Sequence, residues 1–222
     1  MARRQRMARA DREQQMITVA EQVFAERGYH AASMDEIAQQ VGVSKPMLYE
    51  YFGSKEGLLR ACILRARTEL REVTQRAVAE APTLRDLLWQ GVAAFFRFAD
   101  THARAWRVLR QETALAGTSG AEEIETFRSQ QNAFTAGLLA TYLPAAAEWE
   151  VVAYAELLGG ACERLAIWRE GRPEVTPEQA TDMLMDVVWT GLEGLLERQT
   201  PVPAQVSDSF KTREAGASTV SG

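Results

Sequence analysis

The chain has 222 residues, of which 46% are hydrophobic and 25% charged, with only 15 glycines and 7 prolines. This length allows one or two domains with a buried core, and the composition favours helices. A formal net charge of −5 disfavours a protein that binds DNA without regard to sequence. Cys62 and Cys162 have no metal-ligand spacing around them. We therefore expect core thiols in a reducing cytoplasm, with no metal site and no cofactor.

The charge is unevenly divided along the chain. Residues 1–60 carry nine Lys and Arg against eight Asp and Glu, whereas residues 61–222 carry sixteen against twenty-two. Five arginines fall within the first twelve residues, which predicts a basic arm over residues 1–10 that reaches phosphates or a minor groove. The N-terminus lacks an apolar segment and no run of eighteen apolar residues occurs. We expect a cytoplasmic protein without a membrane partner.

The first predicted helix spans residues 11–27, with Asp11 as its cap and Gly28 at its end. A short second helix follows Ser33, which caps it and forms a capping box with Glu36. Gly42 then supplies the positive φ that a sharp turn needs. The core-facing residues of these two helices are Ile17, Ala20, Val23, Phe24, Ile37, Ala38 and Val41.

The third predicted helix begins after Ser44, which we expect to cap it, and carries Pro46 in its first turn. Leu48 and Phe52 lie four residues apart and face inward. The spacing leaves Lys45, Met47, Tyr49 and Tyr51 to point outward or sideways, as in a helix whose first turn enters the major groove. Lys55 opens the next helix, where a cation and free N–H groups suit a phosphate. This pattern predicts a helix-turn-helix, although capped short helices also occur in proteins that never touch DNA.

Six further helices are predicted, at about 54–80, 83–100, 102–115, 119–143, 147–170 and 176–198. Ser119 with Glu122, and Thr176 with Gln179, form capping-box patterns at two of the starts. The polar residues 199–222 are predicted to be a disordered tail. The result is an all-α, nine-helix protein with a helix-turn-helix domain at 11–60 and a second helical domain at 61–198.

Aromatic and polar residues share the middle helices of the second domain. An apolar cavity with a few polar anchors is the usual form of a ligand site, although aromatics at helical spacing also make ordinary core. The candidate ligand-binding residues are Trp89, Phe95, Phe96, Trp106, Arg110, Phe127, Gln131, Phe134 and Glu163.

The stretch from Asp11 to about Arg65 resembles the DNA-binding domain of the tetracycline-repressor (TetR) family. The resemblance rests on A-E-R-G-Y, then S-M-D-E-I-A, then G-V-S-K-P-M-L-Y-E-Y-F-G-S-K-E-G-L-L. It implies that Ser33 contacts a DNA phosphate and that Tyr51 and Lys55 contact the DNA backbone. Many members of the family have histidine at the position of Tyr51. It also implies a recognition helix that uses Ser44, Lys45, Pro46 and Tyr49. Met47 has the character to read a thymine methyl group.

The same resemblance implies a homodimer formed through the last two helices as a four-helix bundle. Both helices are rich in apolar and small residues, which is also compatible with packing inside one subunit. The residues expected to pair are Val152, Leu158, Gly159, Leu165, Val188, Leu192 and Leu195.

The function implied is a ligand-responsive regulator, a repressor in most such proteins, that binds a palindromic double-stranded operator and is released or retuned by a small hydrophobic ligand. The segments A-F-F-R-F and C-E-R-L-A-I-W also resemble the actinobacterial branch that senses long-chain acyl-CoA, and aromatic ligands stay open. The alternatives are an activator that responds to acyl-CoA and a helical interaction module without a ligand. An enzyme is not expected, because the chain has two histidines and no catalytic motif.

Overall fold

The fold is described from a computed structural model that covers residues 8–199, with the backbone alone at residues 119 and 197–199. Within these residues the chain forms nine α-helices and one 3₁₀ turn (Glu112–Leu115). The all-α prediction is confirmed. The helices are α1 (Arg9–Ala31), α2 (Met34–Val41), α3 (Lys45–Phe52), α4 (Lys55–Val78), α5 (Leu84–Thr101), α6 (Ala103–Leu109), α7 (Ser119–Tyr142), α8 (Glu148–Arg169) and α9 (Pro177–Gln199).

Side-chain caps fix several helix starts where the sequence predicts them. The Ser33 hydroxyl accepts the Glu36 N–H at 3.1 Å. At the start of α9, Thr176 and Gln179 exchange two hydrogen bonds, of 3.2 and 2.9 Å. Each such bond satisfies an N–H group that the helix itself leaves without a partner.

Both ends of α1, the end of α6 and the cap of α7 differ from the prediction. Gly28, the predicted end of α1, has a non-helical φ of 74°, but α1 continues to Ala31. Helix α1 begins at Arg9, so Asp11 lies in its first turn, where a carboxylate also suits the helix dipole. Helix α6 ends at Leu109, because the next residues form tertiary hydrogen bonds that local periodicity does not encode. Thr118 rather than Ser119 occupies the N-cap position of α7, and its hydroxyl donates to the Leu115 carbonyl instead. Most of the predicted arm (residues 1–7) and tail (residues 200–222) lie outside the described residues.

Two apolar cores organise the fold. The first joins α1–α4 to α5, α6 and the 3₁₀ turn, with Phe24, Leu48 and Phe98 almost fully buried. The second lies between α5, α7, α8 and α9 and is centred on Leu139 and Leu143. The predicted domain boundary at 60/61 falls inside α4, which runs unbroken from one core to the other. Helix α4 therefore connects the two parts directly.

None of the helices within residues 8–199 has the length and apolarity needed to cross a lipid bilayer. Over the same stretch, His, Cys, Asp and Glu side chains do not gather in groups of three or more that could hold a metal ion. Both cysteines are buried and unpaired. Burial, reinforced by the nearby Glu163 carboxylate, raises the pKa of Cys162 to about 12.

Candidate nucleic-acid interface and ligand cavity

The turn between α2 and α3 has the geometry of a helix-turn-helix. Gly42 ends α2 in the left-handed conformation, with φ 79° and ψ 35°. A residue with a Cβ would be strained there. Val43 packs half-buried against the first core and directs the chain into α3. The local sequence thus fixes the angle at which α3 leaves α2.

Helix α3 has one buried side and one exposed side. Leu48 is fully buried and Phe52 packs against the same core. Ser44, Lys45 and Pro46 are exposed, and Tyr49 has 42% of its surface accessible. These four residues form the first turns of α3 and could enter a major groove without disturbing the core.

Ser44 lies at the N-cap position of α3, but the prediction that its side chain caps the helix is wrong. Its hydroxyl forms no capping hydrogen bond. Pro46 has no N–H to offer, and the Met47 N–H bonds the Ser44 carbonyl oxygen at 3.0 Å. The hydroxyl therefore stays available as a donor to a phosphate.

Met47 and Tyr51 point sideways rather than outward, since both are half-buried against the core. Arginines of α1 cover them. The Arg12 Nη1 lies 3.8 Å from the Met47 sulfur, and the Arg9 guanidinium lies 5.1 Å from the centre of the Tyr51 ring. The basic N-terminal stretch predicted this positive charge, but only the fold shows that Arg9 and Arg12 stand beside α3.

Lys55 is held at the start of α4 by two contacts. Its Nζ lies 3.3 Å from the His30 carbonyl oxygen and 4.6 Å from the centre of the Tyr29 ring. The Tyr29 hydroxyl donates to Glu56 at 2.7 Å. Burial, together with this bond to Glu56, raises the pKa of Tyr29 to about 12, so the phenol remains a donor. The neutral partners of Lys55 position its charge without cancelling it.

Gly57 sets the distance between α3 and α4. A Cβ at this position would lie 2.0 Å from the Phe52 carbonyl oxygen, which is backbone and has little freedom to move. The Ser54 hydroxyl accepts the Gly57 N–H at 2.9 Å, which closes the same turn. The glycine is therefore needed to keep Lys55 near the end of α3.

Lys45 forms an ion pair that the sequence pattern did not single out. Its Nζ lies 2.9 Å from an Asp35 carboxylate oxygen, in the first turn of α2. The hydrogen bond to Asp35 raises the pKa of Lys45. Both side chains are exposed. A carboxylate thus stands on the surface that would meet DNA.

We call α1–α3 and the first turn of α4 the head. A cavity of about 180 Å³ lies behind the head, between α4, α5, α7 and α8. Its wall is apolar along α5, with Leu87, Leu88 and Val92, and polar along α7. Of the nine residues predicted to bind a ligand, four line it: Phe95, Gln131, Phe134 and Glu163.

The other five predicted ligand residues lie elsewhere. Phe96 is fully buried core. The Trp106 indole donates to Glu170 at 2.9 Å and Arg110 pairs with the same carboxylate, so both lie at the end of α8. The Trp89 indole donates to Asp182 of α9 at 2.8 Å, and Phe127 packs under Arg71. The prediction thus included residues of α5, α7 and α8, which line the cavity, but also of α6, which does not, and it named no residue of α4.

An ion-pair network in the cavity wall joins α4, the 3₁₀ turn and α7, and it is largely buried at Arg67 and Glu112. The Arg67 guanidinium donates to both Glu112 carboxylate oxygens, at 2.6 and 2.7 Å, and its side chain is 6% exposed. Arg128 of α7 donates to the same carboxylate at 3.0 Å. Both arginines line the cavity. Although burial opposes it, the Glu163 and Glu112 carboxylates raise the pKa of Arg128, so the guanidinium stays charged.

The predicted dimer residues are mostly covered within the subunit. Leu192 is buried in the second core, and Leu158 and Gly159 line the cavity. Leu165, Val188 and Leu195 pack half-buried against the two cores, whereas Val152 is exposed. Val152 is the one predicted residue that belongs to the apolar side chains most exposed on α8 and α9. We call Trp149, Val152, Leu157, Met183 and Val187 the α8–α9 face; Leu157 is 70% and Val187 75% exposed.

Comparison with known proteins agrees with this geometry. Residues 16–62 match the family described as "Bacterial regulatory proteins, tetR family", and residues 84–191 match "Tetracyclin repressor-like, C-terminal domain". The transcriptional activator FasR of Mycolicibacterium smegmatis is 39% identical over 104 residues, which are 47% of this chain and 48% of that protein. The match thus spans about half the length of that curated relative.

Two crystal structures have the same fold. A TetR-like transcriptional regulator from Rhodococcus sp. RHA1 is 34% identical, with a TM-score of 0.67 over 85% of this chain and 100% of that one. FadR of Bacillus subtilis, solved in complex with stearoyl-CoA, is 19% identical, with a TM-score of 0.71, and the match covers 80% of this chain and 98% of FadR. With a helix-turn-helix head, a helical second domain and these matches, the chain belongs to the TetR family of bacterial transcriptional regulators.

Proposed function

We propose that the chain is a ligand-responsive repressor that binds a palindromic operator as a homodimer and is released when a small, largely apolar ligand enters the cavity. The observation that carries the DNA-binding half is the exposed first turns of α3. Ser44, Lys45 and Tyr49 are free of the core there, with Arg9 and Lys55 beside them. Such a surface offers base contacts in a groove and phosphate contacts at its edges.

Dimerisation is supported by the α8–α9 face. Monomers rarely leave a large apolar patch exposed to water. In a two-fold dimer the patches of the two copies pack against each other, so both are buried. The exposed side of these helices also carries Gly160 and Gly191. Glycine has no side chain to keep a partner helix away, so two copies can approach closely there.

Leu157→Glu combined with Val187→Glu is expected to convert the dimer to a monomer of 24.7 kDa. The two-fold axis would place the new carboxylates in an apolar interface, which costs several kcal/mol. Light scattering after size-exclusion chromatography gives the mass. Ala133→Glu combined with Ala140→Glu, which adds the same two charges at exposed positions of α7, is the control. A dimeric double variant, or a monomeric unaltered chain, would contradict this proposal.

The ligand's chemistry follows from the cavity wall. Leu70, Leu87 and Leu88 favour an apolar body. Two buried polar atoms, Arg128 Nε and Gln131 Oε1, have no hydrogen-bond partner among the described residues. Burying such atoms unpaired costs about 1–3 kcal/mol each. A ligand that carries both an acceptor and a donor at one end would recover that cost, as an acyl-CoA or a polar aromatic compound would.

The cavity is small in this conformation. Drug-sized ligands occupy sites of about 300–1,000 Å³, against about 180 Å³ here. A ligand of that size would have to separate α7 from α4 and α5. Arg128, Glu112 and Arg67 cross that junction, and the Gln111 side chain donates to the Phe24 carbonyl oxygen of α1 at 2.9 Å. We therefore expect ligand entry to displace α4 and the head it carries.

Operator affinity measured with and without ligand tests the proposal. Native mass spectrometry of the purified chain detects any ligand that co-purifies with it. Titration with stearoyl-CoA and with aromatic acids then identifies which class of ligand binds. A coupling of about 1–3 kcal/mol would weaken operator binding by about 5–150-fold. A ligand that binds the cavity without changing operator affinity would contradict the regulatory half. A reporter gene downstream of the operator distinguishes the proposed repression from activation.

A further inference from the structure

The Lys45–Asp35 ion pair differs from the contacts of Arg9 and Lys55, the other two cations proposed to meet DNA. Lys45 is the first residue of α3, and its Nζ lies 2.9 Å from the carboxylate of Asp35. The Lys55 Nζ instead contacts a carbonyl oxygen, and Arg9 stacks on a ring. Those partners leave the cationic charge in place, whereas a carboxylate cancels it. The positive charge of Lys45 is therefore offset by a carboxylate on the surface where DNA would bind.

The pair is also easily opened. Its side chains are 43% and 72% exposed, and exposed ion pairs contribute only about 0.2–1 kcal/mol. A hydrogen-bond acceptor fixed opposite Lys45, such as a guanine O6 or N7, could therefore compete with Asp35. A loosely held phosphate in a non-specific complex has no fixed position opposite Lys45, and Asp35 itself repels phosphates.

From this geometry we propose that Asp35 is a specificity-determining residue. It keeps Lys45 from contributing to non-specific DNA binding, and the ion pair opens when Lys45 contacts a base of the operator. This inference rests on the proposed function, since it requires α3 to read DNA. Non-specific binding arises almost entirely from phosphate neutralisation, so masking one lysine in each subunit lowers it directly. The operator complex loses less, because a positioned contact replaces the ion pair. Asp35 thereby widens the ratio of specific to non-specific affinity.

A double-mutant cycle tests the inference with Asp35→Asn, Lys45→Ala and the combined variant of the full chain. Each is titrated into a random-sequence duplex and into the operator selected from random DNA, at several salt concentrations. Asp35→Asn is expected to raise non-specific affinity roughly tenfold and steepen its salt slope by about 0.9 per subunit, as one more phosphate is neutralised. Operator affinity should rise only about threefold, the fold-change equivalent to opening a weak surface pair in each subunit.

The combined variant identifies the cause. With Lys45→Ala already present, Asp35→Asn should raise the non-specific affinity and steepen its salt slope much less than it does in the unaltered chain, because only the repulsion between Asp35 and phosphates is then relieved. An equal effect in both backgrounds would show simple repulsion between Asp35 and DNA and would overturn the inference, as would an unchanged ratio of specific to non-specific affinity. If the unaltered chain selects no operator, the proposed function itself fails. If the chain selects an operator but the cycle shows no coupling between Asp35 and Lys45, only the inference about Asp35 is wrong and the proposed function stands.

Discussion

Replacing Tyr49 with alanine is expected to weaken operator binding by at least about 30-fold. The side chain is 42% exposed and stands one turn after Lys45 on α3. A good base contact contributes about 1–3 kcal/mol, and a dimer makes it twice. The smallest loss is therefore about 2 kcal/mol, which is about 30-fold in the dissociation constant.

Fluorescence anisotropy with labelled operator measures this loss. Tyr142→Ala is the matched control, since Tyr142 is 36% exposed at the end of α7, outside the α2–α3 head. It should leave affinity within about twofold, as expected for a surface change away from the site. Tyr49→Phe separates the phenol hydroxyl from the ring. Equal losses for Tyr49→Ala and Tyr142→Ala would exclude Tyr49 from the interface.

Glu112→Gln is expected to lower the free energy of unfolding by about 3 kcal/mol. Breaking a buried pair by removing one charge typically costs about 3–5 kcal/mol, because the other charge stays buried without compensation. The Arg67 side chain is 6% exposed and both its hydrogen bonds run to Glu112, which is 15% exposed. Glutamine keeps the shape and one acceptor, which places the loss at the lower end. The melting temperature should fall by about 6–12 °C for a domain of this size.

Glu123→Gln provides a close comparison. Glu123 of α7 also accepts from an arginine of α4, with 2.6 Å between it and Arg60, but these side chains are 50% and 40% exposed. An exposed pair contributes about 0–1 kcal/mol, so this melting temperature should barely change. Scanning calorimetry measures both variants. Similar shifts for both would show that the network around Glu112 does not hold α4 as described.

The head was largely predictable because its signals are local. Ser33 caps α2 by accepting the N–H of Glu36, three positions later, and Gly42 takes the left-handed backbone conformation that favours glycine. These features depend on neighbours within a few residues, which the sequence displays directly. Asp35 is different. It lies ten residues before Lys45, and only the angle that the turn sets between α2 and α3 brings the two together.

The second domain was less predictable for a related reason. Helix α8 is apolar at several turns around its circumference, so periodicity does not say that Leu158 faces the cavity and Leu157 faces outward. Arg67 and Glu112 are 45 residues apart. Charged residues at such spacing resemble an ordinary solvated surface until the fold brings them together. Packing between helices therefore decides both the cavity wall and the network.

The most direct test of the central claim is selection of bound DNA from a pool of random duplexes by the full chain, followed by sequencing. We predict enrichment of one two-fold-symmetric motif, with half-sites separated by a multiple of about 34–36 Å along the helix, as a dimer that inserts two α3 helices requires. The Tyr49→Ala variant should not enrich it. A pool that stays random, or a motif that Tyr49→Ala enriches equally, would contradict the assignment of α3 as the element that reads DNA.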